Sequence, residues 1–304
     1  MHLNTKSAQY KKQAQEEGQI WGKAAQREAN KHDPDYSYYS KFISYRIYRN
    51  GYTLRALSNI KPGMRVLDLG CYNGWFSLEL ARSGAIVDAH DIAPDAIAIA
   101  RSYYKKCKAK EKFSGQITYH VTDLNTATFP KEAYDVVVFR GILHHVGNLD
   151  GLIPAVSRAL KPGGLVVADD GLPCGKKEAL AIGGLLMLLP TDIPYHRKFQ
   201  RVFRKGNIVG RTQGLVDSKH GSPFEGITGK ESVDYLREHF TIRYYTTFAA
   251  FIGVLASQVR VQEQFKVLFL RVFNVLDRAS TLCGILQGSV YYLEGEKRTK
   301  AYEK

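Results

Sequence analysis

The sequence predicts an α/β fold: a doubly wound, mostly parallel sheet of seven strands, with a helical N-terminal extension and helical insertions in the second half. Three observations predict it. Between residues 64 and 168 short apolar runs alternate with stretches of helical periodicity, the pattern of β-α-β units and of a sheet covered on both faces. The first run passes directly into a glycine-punctuated turn, Gly70-Cys71-Tyr72-Asn73-Gly74, and then into a helix. The length, 304 residues, suits one large α/β domain with insertions, or a domain plus a small cap.

Residues 1–30 are rich in Lys, Gln, Glu and Ala and poor in large apolar side chains, and a frayed or loosely docked helix is expected there. From 35 to 60 the chain is crowded with tyrosines (36, 38, 39, 45, 48 and 52), while Phe42, Ile43, Ile47, Leu54 and Leu57 recur at helical spacing. One or two helices with an aromatic face follow from that spacing; such a face packs in a core or lines a pocket. Strands are expected at 64–69, 85–90, 117–121, 134–139 and 165–168, with helices at 75–83, 94–106 and 149–160. Lys61-Pro62-Gly63 and Lys161-Pro162-Gly163-Gly164 read as turns. After Gly171 the rhythm breaks. Residues 176–189 look helical, 206–226 form a glycine-punctuated loop, and Thr228-x-x-Glu231 has the form of a capping box opening a helix to His239. A strand at 241–251, a long amphipathic helix at 261–286 and a closing strand at 289–293 complete the sheet.

Composition sets wide bounds. A hydrophobic share of 44% with 24% charged residues is ordinary for a globular protein and excludes a fibre or a repeat array. The opening MHLNTKSAQYKK lacks the apolar core of a secretory signal, and the longest apolar run, 179–190, is too short to span a bilayer. Cys71, Cys107, Cys174 and Cys283 are scattered, without a C-x-x-C pair or histidines at metal-ligand spacing. No metal and a reduced, cytoplasmic protein are therefore expected. The net charge of +14 suits nucleic acid, an anionic membrane or an acidic small substrate, but equally a solvated basic surface. The positive residues are dispersed along the whole chain, so charge alone decides nothing.

In an open parallel sheet, ligands bind beyond the carboxyl ends of the strands, where the strand order reverses. The first strand ends in Asp68-Leu69-Gly70; Gly70 can let the backbone approach a ligand, and Gly74 can let the helix start pack on the strand. The second ends at Asp91-Ile92, where a carboxylate can accept both hydroxyls of a ribose, and the third is followed by Asp123-Leu124, where a carboxylate can take an adenine amino group. The fourth gives Arg140-Gly-Ile-Leu143-His144-His145, and the fifth ends at Asp170. A lone Asp at a strand end is often just a cap or a turn former; three at successive strand ends, with the glycine turn, form a more telling set. The third glycine of a G-x-G-x-x-G turn is missing, since Ser77 and Leu78 follow, and there is no G-x-x-x-x-G-K-[ST] loop.

Taken together, these residues resemble class I S-adenosylmethionine-dependent methyltransferases over about residues 50–172. The resemblance implies the Rossmann-like methyltransferase fold and S-adenosylmethionine as cofactor. It places Asp68 and Gly70 at the methionine end, Asp91 at the ribose and Asp123 with Leu124 at the adenine, with Cys71, Gly74, Ile92 and Arg140 completing the cofactor-binding set. In one departure, Tyr72 stands where the family usually has glycine. The implied divisions are an N-terminal extension (1–50), a cofactor-binding half (51–172) and a remainder carrying acceptor-binding insertions (173–304).

The residues after the fourth strand narrow the acceptor. The [N/D]-P-P-[Y/F/W] of base-modifying enzymes, the paired glutamates of protein arginine methyltransferases and the clustered carboxylates of metal-dependent catechol enzymes are all missing. Ile142-Leu143-His144-His145-Val146, with Asp170, resembles small-molecule methyltransferases, including those of sugars and natural products. Some of these use a histidine here as general base and an acid after the fifth strand, which makes His144, His145 and Asp170 the implied catalytic residues. An imidazole can take the proton of a hydroxyl as it attacks a sulfonium methyl, and a carboxylate can orient the ring. The plainer alternative has one histidine packing on the sheet, the other capping a helix, and transfer by proximity.

Tyr195-His196, His220 and Ser222-Pro223-Phe224-Glu225 are expected in loops over the carboxyl edge of the sheet. The expected activity is methyl transfer to a hydroxyl of a sugar, glycolipid or natural product. An RNA methyltransferase, motivated by the charge, and a non-catalytic cofactor-binding regulator are the alternatives. In the helix at 261–286, Val261, Phe265, Leu268, Phe269, Val272, Phe273, Leu276, Ala279, Leu282 and Leu286 make a wide apolar stripe, with Arg260, Lys266, Arg271 and Arg278 on the other faces. Core packing, a dimer interface and docking on the inner face of an anionic membrane all fit that pattern.

Overall fold

The computed structural model describes residues 5–34, 42–191, 193–198, 223–224 and 228–298. His220, Ser222, Glu225, the tyrosines at 36, 38 and 39 and most of the expected loop at 206–226 lie outside the described residues. The strands are β1 (Arg65–Leu69), β2 (Ile86–Asp91), β3 (Gln116–Val121), β4 (Tyr134–Arg140), β5 (Leu160–Gly171), β6 (Phe240–Phe248) and β7 (Val290–Lys297). The helices are α1 (Ala8–Ala29), α2 (Asn50–Ser58), α3 (Trp75–Arg82), α4 (Pro94–Lys110), α5 (Leu149–Ala159), α6 (Lys176–Leu188), α7 (Gly229–His239), α8 (Ile252–Gln258) and α9 (Glu263–Leu282).

One sheet of seven strands runs in the order β3-β2-β1-β4-β5-β7-β6. β1 to β5 pair in parallel, and β7 is inserted antiparallel between β5 and β6. The order reverses between β1 and β4, which opens the crevice expected at that edge. Val136, Val137, Val138 and Phe139 of β4 are all buried, as a strand covered on both faces requires. On one face Ile153 and Val156 of α5 pack with Val233 and Leu236 of α7; on the other, α3, α4, α6 and α8 contribute Leu78, Ile97, Ile182 and Ile252. The capping box opening α7 is formed in both directions between Thr228 and Glu231.

Three local expectations need correction. The segment Lys161-Pro162-Gly163-Gly164 does not separate α5 from β5. Leu160 pairs with Tyr134 and Leu165 with Val136, so the four residues bulge out of a strand that is already running. The strand expected to reach residue 251 stops at Phe248; Ala249 turns back at φ 60° and α8 begins at Ile252. The cause lies in α9, where the carboxylate of Asp277, fully buried, accepts backbone N–H groups from Ala250 (3.2 Å), Phe251 (2.8 Å) and Ile252 (2.8 Å).

The third correction concerns the N-terminus. α1 is not loosely attached. Ser7 caps it, Tyr10, Glu17 and Ala25 are buried, and it packs along α4. Gly18 and Gly22 share one side of α1 and allow the approach. A Cβ on Gly18 would stand 3.0 Å from the Ile92 carbonyl oxygen, and one on Gly22 3.1 Å from Asp95 Cβ.

The capping role of Asp277 yields a stability test. Asp277→Ala strands three backbone donors at the buried start of α8 and should cost roughly 2–4 kcal/mol. Asp277→Asn, which keeps one acceptor oxygen, should recover part of that loss. Urea melts of the two variants read the difference, and an unchanged midpoint in Asp277→Ala would show that the cap is dispensable.

Candidate active site

The carboxyl ends of β1, β2 and β4 and the loop after β3 surround a cavity of about 320 Å³, within the range of small-ligand sites. Asp68, Gly70, Cys71, Asp91, Ile92, Asp123, Leu124, Arg140 and His145 all line it, so nine of the residues singled out from the sequence converge on one space. Gly74, His144 and Asp170 are not among the lining residues. Gly74 starts α3 at φ 77°, where a Cβ would meet Tyr119 Oη at 2.6 Å.

The glycine turn is built for a left-handed backbone. Gly70 has φ 77°, and the place of its missing Cβ is filled by Ile142, from the loop after β4, at 2.4 Å. The missing side chain thus leaves room for Ile142, while Gly70 itself still lines the cavity. Tyr72, at the position where glycine is usual, also has positive φ, 50°. That conformation costs a non-glycine residue roughly 1–2 kcal/mol. The cost is offset by the Tyr72 ring packing edge-on to Trp21 of α1 and by the Tyr72 N–H, which donates to Asp91 Oδ2 at 2.8 Å.

Three of the carboxylates that line the cavity, Asp68, Asp91 and Asp123, are each held differently. Asp68 accepts the Ser77 hydroxyl at 2.6 Å, and burial pushes its pKa up to about 6. Asp91 takes the N–H groups of Tyr72 and Ala93 on separate oxygens, and burial again raises its pKa. Asp123 accepts the backbone and side-chain N–H of Asn125, both at 3.0 Å, and the Tyr10 hydroxyl from α1. Burial also pushes the Cys71 thiol well up, which leaves it protonated and unsuited to nucleophilic work. Opposite these acids, Arg140 donates through Nε to Asp169 at 2.8 Å and through Nη2 to Thr53 at 3.1 Å, and lies 4.4 Å over the Phe76 ring. Its Nη1 is buried without a hydrogen-bond partner among the described residues.

The two histidines part company. His144 Nδ1 sits 2.6 Å from Asp170 Oδ1, and its backbone N–H donates to Asp170 Oδ2 at 3.1 Å. The His145 ring lies against His144, with centroids 4.0 Å apart, and its Nδ1 is 3.2 Å from Glu17 Oε1 of α1. Asp169 and Asp170 are neighbours on β5, and their side chains go to opposite partners as strand alternation requires. The acid after the fifth strand that faces the cavity is therefore Asp169, while Asp170 serves the histidine.

Sequence reasoning missed the roof of the site. Glu17, Trp21 and Glu28 of α1 line the cavity; Trp21 Nε1 donates to Glu17 at 2.7 Å, and Asn73 of the glycine turn donates to Glu28 at 3.1 Å. Tyr10, Glu17, Trp21, Ala25 and Glu28 recur at spacings of seven, four, four and three, one face of a helix. That periodicity was the available signal, masked by the polarity of its members. Tyr45 and Arg49 add a wall from a π-helical turn (Tyr45–Arg49) that leads into α2.

The raised pKa of Asp68 makes stability depend on pH. A carboxyl whose folded pKa lies above its unfolded value, near 3.9, favours the fold at low pH and loses that contribution as pH rises through about 6. Asp68→Asn should accordingly stabilise the ligand-free protein at pH 7 by an amount on the order of 1–2 kcal/mol, read as a raised thermal midpoint. Below pH 4 the gain should vanish. Equal midpoints at pH 7 would show that burial of the Asp68 charge costs nothing.

Comparison with known proteins places this geometry. Residues 41–202, just over half the chain, match a family described as methyltransferase domain. A ubiquinone biosynthesis O-methyltransferase of Xanthomonas campestris pv. campestris is 32% identical over 142 residues, covering 45% of this chain and 57% of that protein. The enzyme of the same description from Methylocella silvestris is 34% identical over 122 residues, covering 40% and 45%. The chain thus matches about half the length of these relatives. Geranyl diphosphate C-methyltransferase from Streptomyces coelicolor A3(2), solved with S-adenosyl-L-homocysteine, shares the fold with a TM-score of 0.50 at 12% identity, over 82% of this chain and 78% of that one. With its sheet order and the span of the family match, the chain belongs to the S-adenosylmethionine-dependent methyltransferases.

Proposed function

We propose that the protein transfers the methyl group of S-adenosylmethionine to a hydroxyl oxygen of a small-molecule acceptor, a sugar, glycolipid or natural product, with His144 as general base and Asp170 as the residue that orients it. The observation that carries this is the 2.6 Å contact between His144 Nδ1 and a buried carboxylate, with the His144 ring tilted against His145 of the cavity wall. The O-methyltransferase relatives support oxygen as the nucleophile.

The cavity fits the cofactor on its own chemistry. S-adenosylmethionine, when bound, supplies a methyl group made electrophilic by the sulfonium. Asp91 would accept the ribose hydroxyls on the lone pairs left by Tyr72 and Ala93, and Asp123, flanked by Leu124, would take the adenine amino group. Arg140 Nη1, buried and without a partner among the described residues, suits the carboxylate of the methionine end. Asp68 faces the same cavity and would meet the ammonium of the methionine end. His145, tied to Glu17 and edge-on to Trp21 at 5.1 Å, belongs to the wall that holds the cofactor.

His144 does the proton work. With Nδ1–H donated to Asp170, Nε2 is the basic nitrogen. It would take the proton that the acceptor hydroxyl gives up, and Asp170 would stabilise the imidazolium that results. Asp170 is fixed by donation from the Gly171 N–H at 2.6 Å, so the pair is oriented before any acceptor arrives.

Two measurements separate cofactor binding from chemistry. Asp91→Ala should weaken S-adenosylhomocysteine binding by roughly 1.5–3 kcal/mol in calorimetry; retained affinity would remove Asp91 from the ribose. With an acceptor identified by methyl-labelled cofactor in cell extracts, His144→Gln should lower kcat by roughly 10²–10⁴ and leave S-adenosylhomocysteine affinity unchanged. Near-normal kcat in that variant would leave proximity as the main source of rate, and label recovered in RNA would overturn the small-molecule acceptor.

A further inference from the structure

α9 is apolar on two sides. Its inward side packs Phe269, Phe273 and the fully buried Leu270 against the core. Phe265, Leu268, Val272, Val275, Ala279 and Leu282 follow at spacings of three and four and form one continuous stripe along a helix about 30 Å long. That stripe faces out: Phe265, Leu268, Val272, Val275 and Leu282 are 53–77% exposed. Leu276 and Ile285 are exposed beside it. α6, tied at one end through Glu178 to the Gln287 N–H and at the other through the Pro190 carbonyl to the Arg260 N–H, exposes Leu180 and Leu188 as well. A large apolar patch of this kind marks a contact surface.

The charges around the stripe choose the partner. From residue 264 to 285 the single acid is Asp277, which faces inward to cap α8, while Lys266, Arg271 and Arg278 are the cations. Arg271 and Arg278 are exposed at the flank of the stripe. Two copies pairing antiparallel through this helix would bring the same flank of each together, arginine beside arginine, and the one further acid of α9, Glu263, stands at its first residue. An anionic bilayer answers both the apolar stripe and its cationic border, and the net charge of +14 has the matching sign.

We infer that the outward face of α9 docks the protein on a lipid bilayer carrying anionic headgroups. Docking, not insertion, is what the helix allows, since among the described residues no helix is long and apolar enough to cross a membrane. The same helix braces the site. Asn274 Nδ2 donates to the Ile47 carbonyl at 3.2 Å, within the turn whose Tyr45 and Arg49 line the cavity.

Vesicle co-sedimentation tests the assignment. The wild-type chain should pellet with vesicles of phosphatidylcholine and phosphatidylglycerol, remain in solution with phosphatidylcholine alone, and be released by high salt. Arg271→Glu should weaken partition roughly fivefold or more, and Leu268→Glu with Val275→Glu roughly tenfold or more. Both variants should bind S-adenosylhomocysteine as the wild type does, which shows them folded. Three results would overturn the inference: no sedimentation of the wild type with anionic vesicles, sedimentation unaffected by the stripe substitutions, or a wild-type dimer in ultracentrifugation that Leu268→Glu splits without any vesicle binding.

Discussion

Parallel strands deliver their carboxyl ends to one edge, and here that edge carries carboxylates that are out of water. Asp68 and Asp91 are buried, desolvation raises the pKa of each, and the charge of Asp91 raises that of Asp68 further. Much of the surrounding structure makes that burial tolerable. The left-handed turn at residues 70–74 brings the Tyr72 N–H to Asp91, and the start of α3 brings the Ser77 hydroxyl to Asp68. Arg140 acts on Asp68 through its charge while remaining hydrogen-bonded to Asp169 and Thr53. On the proposed reading, a ligand with a positive sulfonium and ammonium and with hydroxyls to donate would supply what these acids still lack, and binding would recover the cost carried by the free protein.

The roof over that edge comes from outside the family match, which begins at residue 41. α1 reaches each part of the floor in turn: Glu17 meets His145, Gly18 approaches Ile92, Gln26 donates to Asp95, and Glu28 accepts from Asn73. Glu17 is 2% exposed, a placement that costs several kcal/mol for a carboxylate unless its partners are fixed. Trp21 and His145 are those partners. The helix therefore covers the cavity through polar contacts between buried groups, which a low local dielectric strengthens.

What the sequence showed and what it hid divide along physical lines. β1 and β4 were legible because a strand buried on both faces must be a short apolar run, and β2 and β3 because their burial alternates with period two. The capping box at Thr228 was legible because both of its partners lie within one turn of helix. α8 was not, since its first turn is satisfied by Asp277, 25 residues further on. The role of α1 was hidden for the same reason: Tyr10 and Glu17 read as polar until their partners, Asp123 and His145, are brought to them by the sheet. The site acids at strand ends were found by position alone, yet the choice between Asp169 and Asp170 turns on side-chain parity, which a one-residue error in the strand end reverses.

That parity is fixed by β7. Because β7 runs antiparallel beside β5, Asp169 lies opposite Tyr292 and Asp170 opposite Tyr291, both fully buried. The Tyr292 hydroxyl donates to Glu294, which also pairs with Arg55 of α2, and the Tyr291 hydroxyl bonds with Ser232 of α7. Each face of the sheet is thus pinned through one of two adjacent tyrosines, and β5 between β4 and β7 has no edge along which to slip. One strand end then holds the Arg140 cation at the cavity through Asp169 and the His144 imidazole, the base of the proposed mechanism, through Asp170. Such proximity is workable only where register is locked, which gives the antiparallel strand a functional as well as a structural place in the sheet.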